Sequence, residues 1–195
     1  MNETPLTWAE FKVRAYDLHS GTEHVVDLSE DGDVVKITIP PGFGLTPAVV
    51  SHPVVNLRNV PSFPAERQTI EFLPATPLEY LERWIASNEI FEDNVRIASV
   101  VHWSDGKVSF SILQPQYHGE PATDREIESF FNASGWTRIR DRSGHIIFFN
   151  YAFQTLAIDA LPRNCYINDG SLLPFDVILC RPNDPLEKFL CLYPD

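Results

Sequence analysis

Three alternating, β-branched stretches are each folded about an Asp-Gly pair. His24–Leu28 and Val34–Ile39 flank Asp31-Gly32, Val95–Trp103 and Lys107–Leu113 flank Asp105-Gly106, and Asn164–Ile167 and Ser171–Leu179 flank Asp169-Gly170. Asp-Gly supplies the positive φ angles a tight hairpin needs, so about six strands are predicted. Helical spacing appears elsewhere. Leu6 to Leu18 reads as a short amphipathic helix carrying Trp8. Thr76-Pro77 is an N-cap followed by proline at the first helical position, and predicts a helix from Pro77 to about Glu89. Its Leu78, Leu81, Ile85 and Asn88 share one face. Thr123 to Glu126 forms a capping box that starts a helix running to about Phe131, with Gly135 ending it. Short strands follow at Trp136–Ile139, Ile146–Phe149 and Leu156–Ile158. The order of hairpins and helices predicts an α+β fold.

One segment resists that pattern. Residues 40–77 hold eight of the sixteen prolines, which reads as a long functional loop or an insertion. Its Phe43, Leu45, Val49, Val50, Val54, Val55 and Leu57 are too apolar for a solvated linker. They predict that it packs over or beside the N-terminal sheet. The whole chain of 195 residues has the size of one domain.

A formal net charge of −12 leaves no basic footprint for a phosphate backbone, so nucleic acid is excluded as a partner. Cys165, Cys180 and Cys191 form no CxxC pair, which suits reduced thiols and a cytoplasmic setting. The polar N-terminus is unlike a signal peptide, and no apolar run reaches the ~18 residues of a membrane helix, so no membrane partner is expected. The sequence has no GxxxxGK[ST], GxSxG or HExxH, and its histidines and cysteines lack metal-ligand spacing.

One constellation remains. Asp159, Asn164 five residues on, and Asp176 beyond the third hairpin match the acid and the two magnesium ligands of phosphoryl transfer. An apolar strand precedes Asp159, and apolar residues flank Asp176. Such chemistry also needs a strand lysine on the phosphates and a helix glutamate to hold it. Lys36 is the lysine placed inside a β-branched strand. Glu82 is the favoured helix partner and Glu79 its near competitor. Gly21 precedes the first strand, where a glycine-rich phosphate lid belongs, but it is one glycine and not three.

On these residues the chain resembles the serine/threonine/tyrosine-kinase-like domain of the polyvalent proteins of phages and mobile elements, a remote relative of protein kinases. The likeness runs from about Gly21 to Leu190, through 21–26, 34–38, 76–83, 114–123, 159–164 and 174–182. It implies a minimal two-lobed kinase-like fold over 1–195. The first lobe would take about 1–113, including 40–77, and an abbreviated C-terminal lobe 114–195. It further implies ATP and magnesium as cofactors. An adenine would lie against Ile112–Tyr117, with Gln114, Gln116, Gly21 and Lys36 binding the nucleotide. Asp159 would be the catalytic acid, served by Lys36 and Glu82, and Asn164 and Asp176 the metal ligands.

The chain also departs from that pattern. Ala157 stands where a histidine would precede Asp159, Asp176 is followed by Val-Ile, and nineteen residues remain after it. A protein-kinase activation segment has no room there. The expected function is Mg-dependent phosphoryl transfer from ATP to an unknown protein or small-molecule hydroxyl. The alternatives are a pseudokinase serving as an interaction module without turnover, and a plain α+β interaction domain.

Overall fold

A computed structural model of the chain describes residues 6–14, 18–29, 32–53, 66–141 and 144–193. The first and second Asp-Gly hairpins merge into one antiparallel sheet. Its strands are β1 (His19–Ser20), β2 (His24–Leu28), β3 (Asp33–Thr38), β6 (Arg96–His102) and β7 (Val108–Pro115), in the order β1-β2-β3-β7-β6. Helix α1 (Trp8–Arg14) closes one end, where Trp8 and Phe11 meet Trp103 with ring centroids 5.2 and 5.0 Å apart. It lies within the Leu6–Leu18 segment the sequence suggests.

Helix α2 (Pro77–Phe91) starts at the expected N-cap. The Thr76 hydroxyl accepts from the Glu79 amide, and the Glu79 carboxylate accepts from the Thr76 amide at 2.8 Å. Its buried face is not the expected one. Tyr80, Arg83, Trp84 and Ser87 point inward, while Leu78 and Ile85 are 64% and 56% exposed. Tyr80 and Trp84 pack with Val95 and Ile112 under the sheet. Two aromatic rings remove more apolar surface from water than the competing leucine and isoleucine, and they decide the helix rotation.

The proline-rich segment is a hairpin, β4 (Leu45–Pro53) with β5 (Glu66–Pro74), paired in register over its whole length. Pro47 and Pro53 are tolerated because each strand of a two-stranded ribbon keeps an unpaired edge. The segment serves both sheets: Phe43, ahead of the hairpin, packs on Phe110 of the N-terminal sheet with ring centroids 4.7 Å apart, while the hairpin itself packs on the C-terminal sheet. Ile70, with Val49 and Phe72, joins a core of Ile147, Phe149, Leu156, Ile158, Leu186 and Leu190. Val54, Val55 and Leu57 lie outside the described residues.

That C-terminal sheet has the order β14-β11-β10-β9, from β9 (Thr137–Arg140), β10 (Ile146–Asn150), β11 (Thr155–Ile158) and β14 (Ile178–Cys180). Helix α3 (Asp124–Ala133) covers it, with Phe131 stacked on Phe148 at 4.4 Å, and α4 (Asp184–Leu190) closes the chain. A third sheet joins β13 (Ser171–Pro174), β12 (Cys165–Asn168) and β8 (Glu120–Pro121), with a short 3-10 turn at Pro162–Asn164. The Asp169-Gly170 turn, with φ of 48° and 76°, connects β12 to β13 as its sequence requires. The arm expected from Ser171 to Leu179 is split, however. Its first half pairs with β12, and after Pro174 its second half joins β11 in another sheet. The link between the halves carries Asp176. Among the described residues the architecture is α+β, with four α-helices and several small antiparallel sheets. No helix among the described residues is long and apolar enough to cross a membrane.

Because Ile70 belongs to the C-terminal core, Ile70→Ala should lower stability by about 2–5 kcal/mol in urea unfolding, within a single transition. A loss under ~1 kcal/mol would mean that the hairpin only decorates the surface.

Candidate functional site

Strand β3 points Lys36 inward, where it is 7% exposed, and the 175–177 link between β13 and β14 brings Asp176 to it. Lys36 Nζ lies 3.1 Å from Asp176 Oδ1, across 140 residues of sequence. Arg83 of α2, 3% exposed, reaches the same oxygen at 3.5 Å through Nη2. Through Nη1 it binds Glu23 Oε2 at 2.6 Å. Glu23 also accepts from the Leu45 amide at 2.8 Å, so it ties the approach to β2 to the start of β4. Both cations lie by the Trp84 ring, Lys36 Nζ at 5.4 Å and the Arg83 guanidinium at 4.9 Å from its centroid. Buried charge survives only when paired, and this alternating chain pairs all four groups.

The electrostatics follow from that chain. Burial opposes the charge on Asp176, but Lys36 and then Arg83 outweigh it and hold the carboxyl at about 2. Burial works likewise against Arg83, yet Glu23 and Asp176 keep its pKa above the ordinary value. His24 lies behind the cluster, its Nε2 2.9 Å from the Tyr80 hydroxyl. Burial and then Lys36 push its imidazole down to about 3, so it is neutral.

Lys36 and Asp176 line a cavity of about 630 Å³, shared with Val26, Gln114, Gln116 and Tyr117. Such a volume suits a small-molecule ligand. Phe175 forms part of the wall, stacked against Tyr117 at 5.9 Å and tilted against Tyr166 at 4.6 Å. Gln116 is exposed at the cavity. Gln114 is turned away from solvent: its amide donates to the Asp93 carboxylate at 3.0 Å and to the Phe175 carbonyl at 2.7 Å. Asp93 is buried and also accepts from the Ser87 hydroxyl at 2.7 Å and from the Tyr117 hydroxyl. Burial, then the bond to Asp93, raises the pKa of that phenol. Gln114 therefore braces the wall, and any contact it makes with a ligand is not through a free amide.

Asp159 and Asn164 are brought together at the end of β11. Asp159 has a left-handed φ of 63°, and the Asn164 amide donates to its carbonyl at 2.7 Å and to Oδ2 at 2.9 Å. Arg163 grips both carboxylate oxygens, at 2.9 and 2.8 Å. Asn164 connects onward, since its carbonyl accepts from the Phe175 amide at 3.0 Å, next to Asp176. Neither Asp159 nor Asn164 lines the cavity.

The expected helix glutamate is not there. Glu79 is exposed and engaged in the cap, and Glu82 faces out, so neither meets Lys36. Rotating α2 to bury Tyr80 and Trp84 carries Glu82 outward and Arg83 inward, one residue or about 100° away. Gly21 is also absent from the cavity and caps the β1–β2 turn by donating to the His24 carbonyl at 2.9 Å. Sequence reasoning missed Arg83, Glu23 and Asp93. An arginine between Tyr80 and Trp84 was the available signal for the first.

Asp176 and Asn164 supply oxygen donors of the kind magnesium takes, with phosphate oxygens as the natural complement. Asp176 Oδ2 has no hydrogen-bond partner among the described residues, and the side chain is 35% exposed, so one oxygen is open to a metal. Among the described residues no group of three or more His, Cys, Asp or Glu side chains is gathered as a metal site. No family model, no curated protein and no solved structure matches this chain.

Arg83→Met should cost about 3–5 kcal/mol, since it leaves Glu23 buried without its cation. Adding Glu23→Gln should recover part of that loss in the same unfolding assay. His24 binds a proton in the unfolded chain below pH ~6.5 but in the folded one only near 3. Its contribution is complete above ~6.5 and declines as pH falls, by about 1.4 kcal/mol per unit until the lower value is reached. Asp176 adds a second loss below about 3.8, ending near 2. Between pH 7 and 5, His24→Gln should therefore lose about 2 kcal/mol less stability than wild type.

Proposed function

We propose that the protein binds a nucleotide with magnesium in the Lys36–Asp176 cavity and transfers a phosphoryl group to a hydroxyl acceptor, as a minimal kinase-like domain. The observation that carries this reading is the meeting of Lys36 and Asp176 at one wall of a cavity whose other wall is 114–117. Lys36 stands on the third strand in chain order, as the phosphate-binding lysine of kinases does. Asp159 and Asn164 are bonded to each other, and the Asn164 carbonyl accepts from the amide of Phe175, the residue before Asp176.

In this reading the adenine rests against Gln114–Tyr117, and Lys36 turns from Asp176 to the phosphates. Asp176 and Asn164 offer oxygens to magnesium, which supplies neutralising charge to the phosphates when bound. Arg83 keeps Asp176 in place after Lys36 leaves it, and Glu23 balances Arg83. These two hold the metal-binding carboxylate and not the lysine, so the lysine-holding place of a helix glutamate in kinases is taken in this chain by Asp176 itself. Asp159 orients the acceptor hydroxyl and takes its proton. Lost stabilisation of transition-state charge costs a few kcal/mol per donor, so Lys36→Met should depress turnover by about a hundredfold or more.

A second reading, nucleotide binding without turnover, is favoured by two observations. Arg163 occupies both oxygens of Asp159, and α2 presents an arginine in place of a glutamate. One experiment separates the readings. MgATP at a hundred times its dissociation constant stabilises by about 2.7 kcal/mol, a rise in melting temperature of about 5–10 °C. ATP with a chelator should give far less, and Asp176→Ala should remove the magnesium dependence. Asp159→Asn should keep the shift and abolish ADP formation. A shift without turnover in wild type selects the second reading. No shift at millimolar MgATP rejects both and leaves an interaction domain.

A further inference from the structure

The stripe of α2 that does not enter the core has its own surroundings. Leu78, Glu82, Ile85 and Glu89 follow one another on successive turns, all exposed. They extend over eleven residues, or about 16 Å of helix. Beside them lies a second cavity of about 550 Å³, between α2, the start of β4, the 151–154 turn and β14. Ile85, Ile90, Phe153 and Leu179 give it an apolar interior, and Phe153 is 49% exposed. Glu82 and Glu89 line the α2 side, and neither is in an ion pair among the described residues.

A hollow that sets apolar side chains beside two carboxylates outside any ion pair among the described residues is selective in what it accepts. We propose that this groove docks a basic peptide segment of a partner protein. One Leu, Met or Phe side chain would sit between Ile85 and Phe153, with Lys or Arg side chains on Glu82 and Glu89. The two glutamates are seven residues apart, about 10 Å along the helix, a span that a short peptide bridges and a small cation does not. Arg181, on the wall after β14, is likewise without an ion-pair partner among the described residues and directs the basic groups to the α2 side. A second copy of the chain is disfavoured, since it would bring a further net charge of −12 toward this acidic surface. The inference does not rest on nucleotide binding, because the groove and the Lys36 cavity are separate.

The test is selection of a random peptide library displayed on phage against the wild-type protein, with depletion against the Glu82→Lys/Glu89→Lys variant. Enriched peptides should combine Lys or Arg with a large apolar residue. Synthesised and labelled, they should lose about tenfold or more in affinity to Glu82→Lys and to Ile85→Ser by fluorescence polarisation. Both positions are exposed, so an unchanged melting temperature separates lost binding from lost fold. Three results would overturn the proposal. These are no enrichment, enrichment of peptides without basic residues, and binding that survives Ile85→Ser and so reflects bulk charge alone. Self-association of the wild-type chain by light scattering, abolished by Glu82→Lys/Glu89→Lys, would also overturn it by giving the groove to a second copy.

Discussion

Lys36, Asp176, Arg83 and Glu23 come from four separate parts of the chain, and the two buried cations depend on the two carboxylates that meet them. Removing an ion from water costs several kcal/mol even after relaxation, and only alternating charges at hydrogen-bond distance offset that. The chain of contacts therefore imposes conditions on its surroundings. Strand β3 must face inward at Lys36, α2 must rotate Arg83 under the sheet, and the β13–β14 link must bring Asp176 back over 140 residues. The amide of Leu45 on Glu23 extends the condition to the first strand of the proline-rich hairpin. The imidazole of His24 behind them is neutral chiefly because it is itself buried, and the charge of Lys36 adds to that.

Much of this was legible where local chemistry decides the outcome. The Asp-Gly turns, the Thr76 N-cap and the Thr123 capping box act over about four residues, and the structure places hairpins and helix starts at them. The order of Lys36 and Asp176 carried over because both lie within apolar runs that bury their neighbours. What failed depends on competition between distant parts. The rotation of α2 turns on whether two aromatic rings or two aliphatic side chains win the underside of the sheet, which spacing within the helix does not report. Glu82 was favoured by that spacing and Arg83 takes the inward place. Proline-rich composition concealed a ribbon because proline is forbidden only where a strand has partners on both sides. Asp93 was hidden for another reason. It stands between Glu92 and Asn94, both with left-handed φ, in what reads as a polar helix end.

Asp93 deserves comparison with the ion cluster because it is a buried carboxylate held by a different device. Among the described residues no cation is a hydrogen-bond partner of it. Ser87, Gln114 and Tyr117 donate to it, and these come from α2, β7 and the segment after β7. Hydrogen bonds from neutral donors fix geometry through their direction, whereas ion pairs are less demanding in angle. The two sides of the cavity therefore differ in kind. The 114–117 side is shaped by directional bonds, and the Lys36–Asp176 side by charges that can exchange partners.

The bonds of Phe175 bear on how that exchange occurs. Its amide is bound to the Asn164 carbonyl and its own carbonyl to the Gln114 side chain, so both polar groups of its backbone are committed. The peptide leading into Asp176 is thereby fixed, and the carboxylate can change partner only by turning about its own side-chain bonds. Such a turn requires the ion pairs with Lys36 and Arg83 to loosen, but it leaves the backbone of the 175–177 link in place. In the proposed binding mode this wall of the cavity therefore changes its charge pairing without changing its shape.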